Sequence, residues 1–336
     1  MKKFNTLRRS LLVASMLAVT SMAQAQAVKL TLGHGTATDN PRHTASLKFA
    51  EVAKAKSNGR IEVTVAPASQ LGDDAAMVTA LRTGALDMSA NSQGAVANAV
   101  PEYAAFGMPF LFSSQAQAWK VMDGVAGQEL AQKSAEKGLI VLAYWDNGIR
   151  HMSNNKRPLL KPEDLKGLKM RTPPDSVTVD IMQSVGAEAQ QIKFSELYVA
   201  LQQGVVDGQE NPLVHMYANK MQEVQKFISL TNHVYTPVAL VASKKFWDGL
   251  SAADKAGVQK AATEAGLLQR KYLEEGDKDV VGKFAKAGVT VTPVPAAELA
   301  RIQDKVKSVV TKFAPVIGED FVKQFYAEIE KARSGK

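Results

Sequence analysis

The sequence predicts an α/β protein of two lobes, each an open sheet with helices, and one long helix spanning both. Three observations predict it. A β-α-β-α-β order is written twice along the chain. The phrase "ALRTGALDMSAN" (Ala80 to Asn91) returns as "ALQQGVVDGQEN" (Ala200 to Asn211), with Ala, Leu, Gly, Asp and Asn at matching places. And from Ser251 to Ala287 the chain reads almost wholly as helix, rich in Ala, Lys, Glu and Leu, about 54 Å long if continuous. That length exceeds one lobe; two or three shorter helices broken at Gly257, Gly266, Gly276 or Gly282 are the alternative, with Gly276 as a kink.

The elements follow in order. Lys29 to Leu32 alternates as a short strand, broken by Gly33 and Gly35. Helical periodicity runs from about Pro41 to Lys56, with Ala45, Phe49, Val52 and Ala53 on one face. "RIEVTV" (Arg60 to Val65) is the next strand. Asp73-Asp74 are good N-cap residues for a helix ending at Thr83, where Gly84 sits as a C′ glycine. "ALDMSA" is a third strand. The order returns with "GLKMRT" (Gly167 to Thr172), stopped by Pro173-Pro174. A helix from about Asp175 to Val185 follows, closed by Gly186. "AEAQQI" is a strand, "FSELYVALQQ" a helix capped by Ser195 and ended by Gly204, and "VVDGQE" the last strand. The repeated phrase is thus the end of a helix, its glycine and a third strand, once per lobe. Val141 to Ser153 and Ile228 to Ser243 join the lobes. Helices between parallel strands place ligands at the strands' carboxyl ends, where Asn91, Asn211, Arg171 and the loops Gly33 to Asn40 and Ser69 to Asp74 fall.

The first residues carry Lys2, Lys3, Arg8 and Arg9, then an apolar run from Leu11 to Met22 and an A-x-A site. That pattern reads as a secretory signal peptide over 1–25; an uncleaved anchor is the alternative, but the run is short of the roughly 20 residues a span needs. Without the leader, the net charge of +8 falls by four. The rest mixes both signs, which argues against nucleic acid. There is no cysteine, so disulfides and thiol chemistry are excluded. The five histidines have no zinc-ligand spacing. There is no P-loop and no G-x-S-x-G elbow. "GHGTAT" lacks the third glycine of a dinucleotide fingerprint. Asp73-Asp74 read as caps rather than as an acid/base pair. The chain offers donors and acceptors at strand ends and no nucleophile with its base.

Arg171 stands out because it ends an apolar strand just before a rigid Pro-Pro. A guanidinium there offers two parallel N–H groups to a carboxylate. Arg150, in "WDNGIRHMSN", is a second cation. For both, a salt bridge to an acidic neighbour is the competing role. Tyr144, Trp145, Phe194 and Tyr198 are either walls of a site or core.

"SQLGDDAAM", "TGALDMSAN", "GLKMRTPP", "FSELYVALQQGVVDGQENPL" and "EVQKFISLTNH" resemble, in order, the DctP-type periplasmic solute-binding proteins of TRAP transporters. The resemblance covers essentially the whole chain after the leader. It implies the two-lobed periplasmic-binding-protein fold, with lobe I at 26–148 plus about 239–275 and lobe II at 149–238 plus about 276–336. It implies closure over a carboxylate-bearing solute, no cofactor, no catalysis, a monomer, and delivery to a sodium-driven permease of a small and a large membrane subunit. On these positions it implies ligand contacts from Arg171 and Arg150, Asn211 after "DGQE", Phe194 flanking the solute, and Asp74 near a hydroxylated end. His34 in "GHGTAT" and Asn91 and Gln93 in "SANSQG" complete the set. Asn91 stands where sialic-acid-binding members carry glutamate, which argues against sialic acid. The stretches "WDNGIRHMSN" and "SANSQG" are similar to uronate-binding members, so the expected ligand is a hexuronate such as D-glucuronate or D-galacturonate. A C4-dicarboxylate, an aromatic 2-oxo acid, a periplasmic sugar-acid enzyme and a sensor subunit are the rival readings.

Overall fold

The computed structural model describes residues 27–334; the leader expected at 1–25 lies outside them. The first half opens with β1 (Val28–His34), α1 (Pro41–Lys56), β2 (Ile61–Ala66), α2 (Asp74–Thr83) and β3 (Met88–Ser92), then α3 (Gln93–Ala97), α4 (Gln115–Asp123) and α5 (Val125–Glu136). A long strand, β4 (Leu139–Asn154), leads into β5 (Lys169–Thr172), α6 (Ser176–Ser184), β6 (Glu188–Gln191), α7 (Phe194–Gln202), β7 (Gly208–Pro212) and α8 (Leu213–Ala218). A second long strand, β8 (Phe227–Ser243), returns to the first half. It is followed by α9 (Lys244–Asp248), α10 (Ala252–Lys286), β9 (Thr290–Pro293), α11 (Ala296–Ile317) and α12 (Glu319–Ser334).

The two expected crossovers are β4 and β8 themselves. Each is long enough to serve both halves, so the two sheets merge into one, in the order β2-β1-β3-β8-β4-β7-β5-β6 with β9 beside β8. Exchanging β1 with β5, β2 with β6, β3 with β7 and β8 with β4 reverses that order onto itself. The halves are therefore related by an approximate twofold between β4 and β8, which pair antiparallel from Leu139↔Ser243 to Asn154↔Phe227. The register slips between Asp146 and Gly148 and between Arg150 and Met152. Such bulges bend a strand, and here they lie where the chain passes from one half to the other.

The repeated phrase acquires a physical reason. Gly84 and Gly204 both take left-handed backbone, at φ 74° and 71°, and end their helices. Asp87 then accepts the backbone N–H of Thr31 at 2.9 Å, and Asp207 accepts that of Lys169 at 2.9 Å. Each aspartate ties the start of its third strand to the first strand of its own half. The helix expected to be capped by Ser195 begins two residues earlier than that cap would set it. Lys193 stands at its N-cap without a side-chain cap, and Ser195 lies exposed inside the first turn.

α10 is one continuous helix of 35 residues. Gly276 does not break it; a side chain there would meet Val214, and one at Gly266 would meet the Trp145 ring at 3.0 Å. Glycine lets the helix lie close against both halves. Val258, Ala261 and Ala265 join the first half's core, while Val280 and Phe284 join that of the second. The ends of the chain divide differently from expectation. α11 packs on the second half through Ile302, Val306 and Val309. α12 returns to the first half, where Phe325 meets Phe106 edge-on at 4.8 Å. The change of direction falls at Gly318, with φ 105°. Residues from 319 onward thus belong with the first half, because the apolar face of α12 completes a core left open above α4 and α5. No helix among the described residues is long and apolar enough to cross a membrane.

Candidate functional site

A cavity of about 90 Å³, room for several waters, lies where the carboxyl ends of the parallel strands of both halves converge. Arg42, Asp74, Gln93, Asn147, Arg150, Arg171, Phe194, Asn211, His215 and Thr236 are among the residues that line it.

Arg171 is delivered by β5 and is 2% exposed. Its Nε donates to the carbonyl of Ile192 at 2.8 Å, while its two terminal nitrogens have no hydrogen-bond partner among the described residues. The guanidinium sits over the Phe194 ring, 5.9 Å from its centroid. Burial pulls its pKa down to about 9, with Glu210 opposing and Arg150 assisting, so it stays charged at neutral pH. A buried guanidinium with free N–H groups facing a cavity is a receptor for a planar anion.

Arg150 has its counter-charge within the protein. Its Nη2 donates to Glu210 Oε1 at 2.7 Å and to the Glu210 carbonyl at 2.8 Å, and its Nε contacts Oε2. Burial works against ionisation of Glu210, but Arg150 and His233 outweigh it and hold the carboxyl at about 2. Arg150 also donates to Asn211 Oδ1 at 3.1 Å, and Asn211 Nδ2 donates to Gln209 Oε1 at 2.6 Å.

Asp73 and Asp74 divide their work. Asp73 caps α2 by accepting from the Ala76 N–H at 2.9 Å and meets Lys193 of the other half at 2.8 Å. Asp74 Oδ2 accepts from the Ser92 N–H at 2.8 Å and its hydroxyl at 2.6 Å. Arg42 Nη1 stands 3.9 Å away. Asp175, at the N-cap of α6, accepts from the Val177 N–H and the Thr178 hydroxyl; burial raises its pKa. Gln93 donates to the Tyr103 carbonyl at 2.9 Å.

Six expected residues thus line one cavity: Arg171, Arg150, Asn211, Asp74, Phe194 and Gln93. Two do not. Asn91 is fully buried and turns along its strand to Ser89, 2.6 Å away. His34 is fully buried, bonded to His43 and Thr36, and burial drives its pKa down to about 3. Of the aromatics, Tyr144 and Trp145 belong to the cores.

Sequence reasoning passed over Arg42, Asn147, His215 and Thr236. Arg42 Nη2 donates to Asn147 Oδ1 at 2.7 Å, and Asn147 donates to the Thr236 hydroxyl at 3.0 Å. His215 accepts from Asn40 at 2.9 Å across the two halves. Burial, with Arg42 and Arg150 beside it, holds it far below the usual imidazole pKa. One signal existed. Arg42 lies in the first turn of α1, where a cation opposes the helix dipole.

Residues 32–315 match the family of bacterial extracellular solute-binding proteins, family 7 (DctP). The chain belongs to that family. It is 36% identical to the C4-dicarboxylate-binding periplasmic protein DctP of Rhodobacter capsulatus, over 91% of this chain and 92% of the relative. It is 46% identical to protein y4mM of Sinorhizobium fredii over 89% of this chain, and spans 57% of that longer relative. Among solved structures, it superposes on the sugar acid binding protein DctPAm of Advenella mimigardefordensis in complex with galactonate. The TM-score is 0.89, at 34% identity, covering 91% of this chain and 99% of the other. A TRAP periplasmic solute-binding protein of Sulfitobacter with bound β-D-galacturonate gives a TM-score of 0.86 at 30% identity, with 89% and 100% covered. Members of this DctP family are solute-binding proteins, and the two-lobed α/β fold is theirs.

Proposed function

We propose that this protein captures a sugar acid outside the cytoplasm and delivers it to a TRAP permease of two membrane subunits. The carrying observation is Arg171, buried at the cavity with neither terminal nitrogen hydrogen-bonded among the described residues. The ligand carboxylate lies on that fork, with Asn211 and Arg150 beside it. Phe194 covers the apolar face of the sugar, and Asp74 and Gln93 meet its hydroxyls. A hexuronate such as D-galacturonate or D-glucuronate is the leading ligand. The support is the similarity to proteins solved with galacturonate and galactonate and the polar far end of the cavity.

The halves act as lobes that close on the solute about β4 and β8, as hinged binding proteins do. The first comprises residues 26–148 with about 239–275 and α12; the second comprises 149–238 with about 276–318. The family match favours binding over turnover, since its members are solute-binding proteins.

A thermal-shift screen of the mature protein against galacturonate, glucuronate, galactonate and succinate tests the reading. A ligand at a hundredfold excess over Kd stabilises by about 2.7 kcal/mol. The reading fails if no organic acid raises the melting temperature, and the binding role fails if a bound acid is converted.

A further inference from the structure

We propose that Asp74 sets the charge of the ligand: it takes a ligand hydroxyl at the far end of the cleft and bars a second carboxylate there. The protein then prefers sugar monoacids to the matching diacids. This rests on the cleft being the organic-acid site proposed above.

The first ground is the pairing of charges around the cavity. Arg150 is matched by Glu210 and Lys193 by Asp73. Arg42 has Asp74 as its carboxylate within 4 Å. Arg171 is the lining cation that makes no salt bridge among the described residues, and Asp175, the remaining lining carboxylate, is held by Val177 and Thr178 of its own helix. One free cation suits one ligand carboxylate. A second would be stripped of water with no cation released to meet it, and an unpaired charge in a closed site is costly.

The second ground is the posture of Asp74 itself. Ser92 fixes its Oδ2 through two hydrogen bonds. Oδ1 has no hydrogen-bond partner among the described residues and faces Gly35, where an added Cβ would lie 2.9 Å from it. The glycine leaves this oxygen reachable. An ionised oxygen without a donor wants an O–H. A sugar hydroxyl supplies one, whereas a ligand carboxylate at neutral pH supplies none and adds a like charge. Asp74→Asn keeps the size and an oxygen for Ser92. It removes the negative charge and frees Arg42 for a second anion.

The test is titration calorimetry of galactonate and its diacid counterpart galactarate against the wild type, Asp74→Asn and Gly35→Ala, with melting curves to check folding. The wild type is expected to bind galactonate more tightly than galactarate by on the order of tenfold or more. Asp74→Asn shifts that ratio toward galactarate by about the same factor. Gly35→Ala sets a methyl against Oδ1 and keeps the charge, so it weakens galactonate without improving galactarate. Equal wild-type affinities, an unchanged ratio in Asp74→Asn, or a gain for galactarate in Gly35→Ala overturns the inference while leaving the cleft as the site. If the wild type binds neither these acids nor any other organic acid, the cleft reading falls and this inference with it.

Discussion

Asn91 and Asn211 occupy matching ends of β3 and β7, and each donates its side-chain amide two residues back along its strand. Asn91 reaches Ser89 and Asn211 reaches Gln209, both at 2.6 Å. Only the second of the two also lines the cavity. Asn211→Ala is therefore expected to weaken sugar-acid binding by about 1–3 kcal/mol. Asn91→Ala should leave affinity unchanged within a factor of about two and lower apo stability instead, because it strips a buried hydroxyl of its partner. Calorimetry and unfolding curves on the two variants decide between this asymmetric division and a symmetric pair, which would lose affinity equally.

Arg171→Lys keeps a positive charge and loses the fork. A point charge cannot make two parallel bonds to a carboxylate, so affinity should fall by about 2–5 kcal/mol, the range for truncating one partner of a buried charge pair. The apo protein should melt no lower than the wild type, since the buried guanidinium makes no salt bridge among the described residues and a lysine there leaves fewer buried N–H groups to satisfy. Retained affinity in the lysine variant would rule out bidentate capture.

Gly208 opens β7 in contact with the end of β4. An added Cβ would lie 2.2 Å from the Ser153 carbonyl oxygen and 2.7 Å from Asn154 Cβ. Gly208→Ala forces the strand carrying Gln209, Glu210 and Asn211 outward, at about 1–3 kcal/mol or more of stability. Binding should weaken along with it. A variant that melts like the wild type would contradict the close approach.

Asp146 lies in β4 where the register slips, fully buried. Its Oδ2 accepts the Trp119 N–H at 2.8 Å, the Tyr235 hydroxyl lies close by, and Oδ1 has no hydrogen-bond partner among the described residues. Burial raises its pKa to about 7, against about 4 in an unfolded chain. Between those values the folded state holds a proton that the unfolded state has released. The contribution of Asp146 to stability is therefore greatest at acid pH and is lost as pH rises from about 4 to about 7. Asp146→Asn should stabilise the protein relative to wild type increasingly over that window and level off above it. Denaturation midpoints of both proteins at pH 5 and pH 8 supply the comparison. A difference that does not change with pH would mean that Asp146 is ionised throughout.

Lys193 and Asp73 meet at 2.8 Å across the mouth of the cavity, the lysine about half exposed. Lys193→Ala removes a bond that exists only when the halves approach. Its effect on affinity should be small, roughly two- to fivefold at low salt, and should vanish near 1 M salt, where the Debye length is about 3 Å. A loss that persists at high salt would point instead to direct contact between Lys193 and the ligand.

What the sequence made legible was local. The Asp73 cap, the glycines at 84, 186 and 204, the long helix and the strand-end arginine each follow from a residue's own backbone or dipole preference. The residues that escaped notice act over distance. Asn147 and Thr236 join the site because β4 and β8 lie antiparallel beside each other, and His215 joins because Asn40, 175 residues earlier, turns toward it. Nothing near them in sequence carries that pairing. Asn91 shows the converse. A true repeat placed it at the correct strand end, but its side chain turned along β3 and the arginine at 42 took the wall. The docking of α12 was hidden for a related reason: an amphipathic stripe declares that a helix packs, not which of two cores receives it.

That docking bears on the order in which the protein can come into being. Phe321, Phe325 and Ile329, near the end of the chain, pack among Met77, Leu81, Phe106 and Leu130. The half that leaves the ribosome first cannot finish its interior until α12, some 180 residues beyond α5, has been made. Partial chains would expose a large apolar face, and N-terminal-first folding, the usual course for multi-unit chains, is closed to this one. A cut after Asp320 would take Phe321, Phe325 and Ile329 out of the first half's core, although it lies more than 180 residues beyond that half's last helix before β4.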